Sequence, residues 1–99
     1  MIKLIQKLVE RLKYGYKIDE NLYLSAPSKD ELVVTYGKRK TKIYMEILSG
    51  KPDRIIYIDK GAKWLPPYEN EPMSEQEYQF IIDAIVRHFE RLGEEVESR

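Results

Sequence analysis

The hydrophobic period of this chain changes at "KWLPPYENEPMSEQE", residues 63–77. From Tyr16 to Lys60 apolar residues alternate with polar ones at a spacing of two. From Ser74 onward they recur at three and four. Pro66 and Pro67 cannot donate ladder hydrogen bonds, and Pro67 pushes Pro66 toward extended geometry. The stretch can be neither strand nor helix. It reads as a stiff, polyproline-like crossover with little entropy left to lose. The fold must therefore place strands first, then a rigid bridge, then a helix.

The segments on either side fill in that order. Ile2, Ile5, Leu8, Val9 and Leu12 fall at helical spacing and predict an amphipathic helix that stops at Gly15. Strands are predicted at Leu22–Ser25, Leu32–Tyr36, Thr41–Ser49 and Arg54–Asp59, joined by short turns rich in Gly, Pro and Asp. Leu22, Leu24, Leu32, Val34, Tyr36, Ile43, Met45, Ile47, Ile56 and Ile58 form one apolar face. The other face carries Tyr23, Val33, Thr35, Tyr44, Glu46, Ile55 and Tyr57. After the crossover, Ser74 is an N-cap with Glu77 three residues on, which is a capping box; Met73 and Tyr78 form a staple. Tyr78, Ile81, Ile82, Ile85, Val86, Phe89 and Leu92 make a broad apolar stripe, and Gly93 stops the helix. The expected fold is an α+β two-layer sandwich: helix, four-stranded antiparallel meander, helix, with both helices on one face. Residues 1–93 form a single domain and residues 94–99 a polar, frayed tail.

Composition limits what such a domain can do. At 99 residues it holds one modest core. With no cysteine it has no disulfide, thiolate metal site or thiol nucleophile, which suits a cytoplasmic location. The N-terminus lacks a signal peptide's uninterrupted apolar region, and no run approaches the length of a membrane span. Charged residues reach 34%, above the roughly 25% of an ordinary domain. That fits a heat-adapted source with surface ion networks, although an AT-rich genome favours the same lysines, isoleucines and tyrosines. Net charge is zero but uneven. Residues 1–63 carry 14 Lys+Arg against 8 Asp+Glu, and residues 64–99 carry 3 against 9. Folding either cancels this asymmetry or leaves a charged face.

Catalytic constellations are missing. His88 is the only histidine, with no sequence neighbour to serve as its partner. There is no clustered metal-ligand set, no Gly-rich phosphate loop and no Gly-x-Ser-x-Gly. No enzyme, metal or cofactor is expected.

Binding features are present. Trp64 either folds back over the end of the core or stands exposed. In the second case Trp64, Tyr68, Glu69 and Glu71 form a rigid surface of aromatic anchors with acidic neighbours, suited to a basic protein partner. Tyr23, Tyr44 and Tyr57 on the outer strand face are either a recognition stripe or ordinary cross-strand pairs. Lys38, Arg39, Lys40 and Lys42 gather at one turn and offer an alternative, nucleic-acid contact. The element order is similar to that of double-stranded RNA-binding domains. However, the second helix here begins Ser-Glu-Gln-Glu, which repels phosphate.

Trp64, Pro66, Pro67, Glu71, Pro72, Ser74, Glu75, Glu77, Ile81, Ile82 and Ile85 set out a pattern of Trp-x-Pro-Pro, polar bridge, Pro-hydrophobic-Ser-Glu and Ile-rich helix. This resembles small bacterial immunity proteins of polymorphic toxin systems, of the immunity protein 74 type. The resemblance covers the second half of the chain and the hairpins before it, not the N-terminal helix. It implies a non-enzymatic protein that binds and neutralises a cognate toxin. The expected contacts are Trp64, Tyr68, Glu69 and Glu71, then Tyr44 and Tyr57. Alanine at Trp64 and Glu69 together is expected to weaken binding and leave the fold intact. The chain is expected to be a monomer or a weak homodimer paired through edge strands.

Overall fold

Sequential strands joined by two-residue turns pair most simply as antiparallel neighbours. The computed structural model describes residues 16–99, and its strands follow that rule. They are β1 (Tyr16–Asp19), β2 (Leu22–Ser28), β3 (Glu31–Tyr36), β4 (Arg39–Ile47) and β5 (Arg54–Ile56). Each of the first four pairs antiparallel with the next. Asn21 (φ 56°) and Gly37 (φ 63°) adopt the left-handed conformation in the first and third turns, which Asn and Gly tolerate best.

After β5 the chain crosses over into one helix, α1 (Glu75–Arg91), and then forms β6 (Val96–Ser98). A helix placed between two strands of one sheet returns the chain to the end it left, so the next strand runs parallel. β6 pairs parallel with β5, Arg54 opposite Val96 and Ile56 opposite Ser98. All six strands lie in sequence order in one sheet. The sheet curls, and α1 touches both of its edge strands, β1 and β6.

This corrects the expected sandwich. The described residues form a six-stranded curled mixed sheet with one helix, not two helices on a four-stranded antiparallel meander. The helix predicted over residues 2–12 lies outside the described residues. The two additional strands, β1 and β6, are the sheet's edges. The segment read as a frayed tail supplies β6. Arg99 N–H donates to Ile56 O at 2.9 Å, and Asp53 N–H donates to Glu95 O at 2.8 Å.

The inward face follows the period of two. Leu22, Leu24, Leu32, Val34, Ile43, Met45 and Ile56 meet Ile81, Ile82, Ala84, Ile85 and Phe89 of α1 in one core. The period has exceptions: Ile47, the last residue of β4, and Ile58, past the end of β5, were read as inward and are 55% and 41% exposed, while Thr35 and Ile55, read as outward, are buried. The helix forms as its caps dictate. Ser74 Oγ accepts from Glu77 N at 3.0 Å, and the Glu77 carboxylate accepts from Ser74 N at 3.2 Å. At the other end Gly93 (φ 88°) closes a Schellman turn, with Glu94 N–H donating to Phe89 O and Gly93 N–H to Glu90 O.

Candidate functional site

The crossover from Tyr57 to Ser74 is built around a gap in the sheet. β5 stops at Ile56, so the N-terminal half of β4 has no strand partner on that side. The crossover fills it: Leu65 N–H donates to Lys40 O at 2.7 Å, and Thr41 Oγ1 donates to Lys63 O at 2.9 Å. This fixes Trp64 inward, where it is 1% exposed and part of the core. Its indole Nε1–H has no hydrogen-bond acceptor among the described residues. Trp64 is therefore the plug and not the exposed anchor. Its ring lies under the Arg39 guanidinium, at the base of the crossover.

Beyond Trp64 the bridge turns repeatedly. The Pro66–Pro67 bond is cis. Tyr68 N–H donates to Leu65 O and Glu71 N–H to Tyr68 O, both at 3.0 Å. The expected extended polyproline arm is replaced by two consecutive turns. Tyr68 is half-buried against the core, while Glu69 and Glu71 are exposed. At the start of the crossover, Asp59 N–H donates to the Tyr78 hydroxyl at 2.8 Å, which ties it to α1. The Asp59 carboxylate also accepts from Gly61 N–H at 2.8 Å. The result is a ring of chain around two adjoining depressions of about 370 Å³ each, which share Lys60, Ala62 and Met73. Glu69 and Glu71 line one; Ile58, Glu75 and Tyr78 line the other.

The basic turn meets this ring. The Arg39 guanidinium lies 4.7 Å from the Trp64 ring centre, within cation–π range. It reaches Glu71 at 3.4 Å and Glu77 at 3.3 Å. These pairs are longer than a tight charged hydrogen bond, so stacking on Trp64 contributes to holding the group. Lys38 Nζ lies 6.0 Å from the Tyr68 ring centre. Lys42 pairs with Glu31 at 3.7 Å. Alternation along β4 sends Lys40 and Lys42 outward, and Arg39 toward the crossover. Lys38, Arg39, Lys40 and Lys42 therefore do not form one free basic stripe, and only Lys40 makes no ion pair or ring contact among the described residues.

Tyr44 and Tyr57 face one another across β4 and the end of β5, where Tyr57 N–H donates to Tyr44 O at 2.9 Å. They are 51% and 37% exposed, on the outer side of the sheet. The Tyr57 hydroxyl donates to Glu46 at 2.6 Å. That hydrogen bond, with some burial and the carboxylate's charge, holds the phenol above its usual pKa of 10.0. Of the residues singled out in the sequence, the structure brings Tyr68, Glu69, Glu71 and Arg39 together. It buries Trp64 beneath them and leaves the tyrosine pair on another face.

A larger concavity of about 660 Å³ lies at the far end of α1, between Tyr16, Leu24, Leu32, His88, Phe89 and Leu92. His88 is half-buried there. Burial, followed by the charges of Arg91 and Arg54, lowers its pKa below 6.5, so it is neutral at pH 7. Among the described residues no three His, Asp or Glu side chains gather to hold a metal. No helix among them is long and apolar enough to cross a membrane.

The sequence model of the immunity protein 74 family matches residues 27–98, most of the chain. The chain belongs to the immunity protein 74 family. No curated protein and no solved structure matches it. The matched span contains the whole crossover ring, the basic turn and the tyrosine pair. The far concavity draws Tyr16 and Leu24 from outside it. Ile58, Asp59, Met73 and Tyr78 were missed as site residues in the sequence reading. Their only signal was position, next to a strand end or a helix cap.

Proposed function

We propose that the chain neutralises a cognate toxin by binding it without catalysis, through the crossover ring between β5 and α1. One observation carries this reading: within the family-matched span, the ring is an irregular surface fixed in advance from below. Trp64 anchors it in the core, Arg39 links it to β4 and the helix start, and Tyr78 holds its entry. A surface ordered before binding loses little entropy on contact. Tyr68 supplies aromatic area, and the Glu69 carboxylate has no ion pair among the described residues. Glu71 shares only the long contact to Arg39. Two under-used carboxylates beside an aromatic ring suit a basic patch on the toxin. Tyr44 and Tyr57 are the second contact surface.

The test is a calorimetric titration of the cognate toxin with wild type and with Tyr68→Ala/Glu69→Lys. Affinity is expected to fall at least about tenfold, the effect of roughly 1.4 kcal/mol, in a variant that still folds. Equal affinity in a folded double variant would remove the ring as the binding site. Alanine at Trp64 is not a clean probe, because the side chain is core.

A further inference from the structure

We propose that the depression bounded by Ile58, Ala62, Met73 and Tyr78 is a pocket for one long basic side chain, Arg or Lys, of the partner protein. This rests on the toxin-binding reading and deepens it.

Three features combine there. First, the floor is apolar and unfinished. Ile58 occupies an inward position of the strand pattern yet is 41% exposed, and Met73 beside it is half-buried and adaptable. Second, the rim is acidic and available. The Glu75 carboxylate makes no hydrogen bond or ion pair among the described residues, whereas Glu77 serves both Ser74 and Arg39. Asp59 uses one carboxylate oxygen on Gly61 N–H, leaving the other open. Third, the walls are fixed, by the Asp59–Tyr78 hydrogen bond on one side and the capping box on the other.

A purely apolar side chain would cover Glu75 and Asp59 without pairing them, which costs free energy. An anion is favoured by a helix N-terminus but faces the same two carboxylates. A lysine or arginine matches both parts, its methylene stem on Ile58 and Met73 and its charged head at the rim. Lys60 also lines the pocket and opposes a cation. It equally borders the second depression, where Glu69 and Glu71 lie, and its four-carbon stem lets the ammonium turn to them.

The test is a nuclear magnetic resonance titration of the full ¹⁵N-labelled chain with Nα-acetyl-arginine methylamide. The norleucine and glutamate methylamides serve as neutral and anionic probes. The arginine probe is expected to shift amides within residues 58–62 and 73–79, with millimolar affinity. That affinity should weaken about twofold to fivefold in Glu75→Gln, the range of one exposed ion pair, and again as salt rises. Ile58→Ser, which removes the floor but no charge, is expected to weaken it too. Equal shifts from norleucine, stronger shifts from glutamate, or no localised shifts from arginine would each overturn the pocket. So would a Glu75→Lys variant that binds the toxin normally. If Tyr68→Ala/Glu69→Lys fails to bind the same toxin, only the pocket falls and the toxin-binding reading stands.

Discussion

Trp64 shows what one side chain does in this fold. It is fully enclosed, and its indole N–H lacks an acceptor among the described residues. Two costs therefore separate on mutation. Trp64→Ala removes the ring and leaves a cavity, and is expected to cost about 3–5 kcal/mol, measured by urea denaturation. Trp64→Phe keeps most of the volume and deletes an unsatisfied donor, so it is expected to cost less than half as much. Equal losses would mean the indole nitrogen is satisfied in solution. The sequence left Trp64 open between plug and anchor for a definite reason. Neighbouring prolines fix the stiffness of a loop, not which side faces the core. That choice was made by β5, which ends at Ile56 and leaves the Lys40–Thr41 edge for the crossover to occupy. His88 gives a second single-residue prediction. Its folded pKa lies below the 6.5 of the free side chain, so the folded state binds its proton less tightly than the unfolded state. Its contribution is present above about pH 6.5 and is lost as pH falls through the folded value. Wild type should therefore lose more stability than His88→Gln between about pH 7 and pH 5, and the His88 proton resonance should titrate below 6.5. A midpoint at or above 6.5 would contradict the burial seen here.

Among the elements, α1 was the most legible. Its start, stop and buried stripe were all written locally, in Ser74, Glu77, Gly93 and the isoleucines. Ser74→Ala is expected to cost about 1 kcal/mol, read from the same denaturation curves. The central strands β2, β3 and β4 were legible too, because alternation against a core leaves a pattern. The edge strands β1 and β6 were not. "YKID" and "VES" are too short and polar to show a period, and they become strands by pairing. β6 depends on Arg54, far away in sequence. Its guanidinium is bidentate to Glu94 at 2.8 Å and 3.0 Å and lies 3.8 Å from the Phe89 ring centre. The pair is mostly enclosed, with Arg54 only 12% exposed. Arg54→Ala should cost about 2–3 kcal/mol, below the range for a fully buried pair. It should also speed amide exchange at Arg99 and Ile58, the hydrogen bonds that hold β6. Loss of stability with those amides still protected would mean that β6 is held by other contacts.

For the whole molecule, the uneven charge of the sequence turns out to be complementary across the fold. Arg39, Lys51 and Arg54 from the basic part meet Glu71, Glu77, Glu95 and Glu94 from the acidic part. Arg39 pairs with Glu71 and Glu77, and Lys42 with Glu31, so part of the basic turn's charge is offset by carboxylates. The expected outcome is no electrophoretic shift of single- or double-stranded RNA or DNA even at low salt. A shift that falls steeply with salt would restore the nucleic-acid reading. By itself, the sequence determined the order of strands, bridge and helix, the caps of α1, most of the inward residues of the central strands (Ile47 and Thr35 excepted) and the resemblance to an immunity family. Each of these is set by neighbours within a few positions, where period, turn chemistry and capping act. Tertiary structure alone decided the number of strands, the parallel β5–β6 pairing, the inward turn of Trp64 and the meeting of Arg39 with Glu71 and Glu77. Those depend on where a strand stops and which distant edge it leaves free, and no local spacing encodes that.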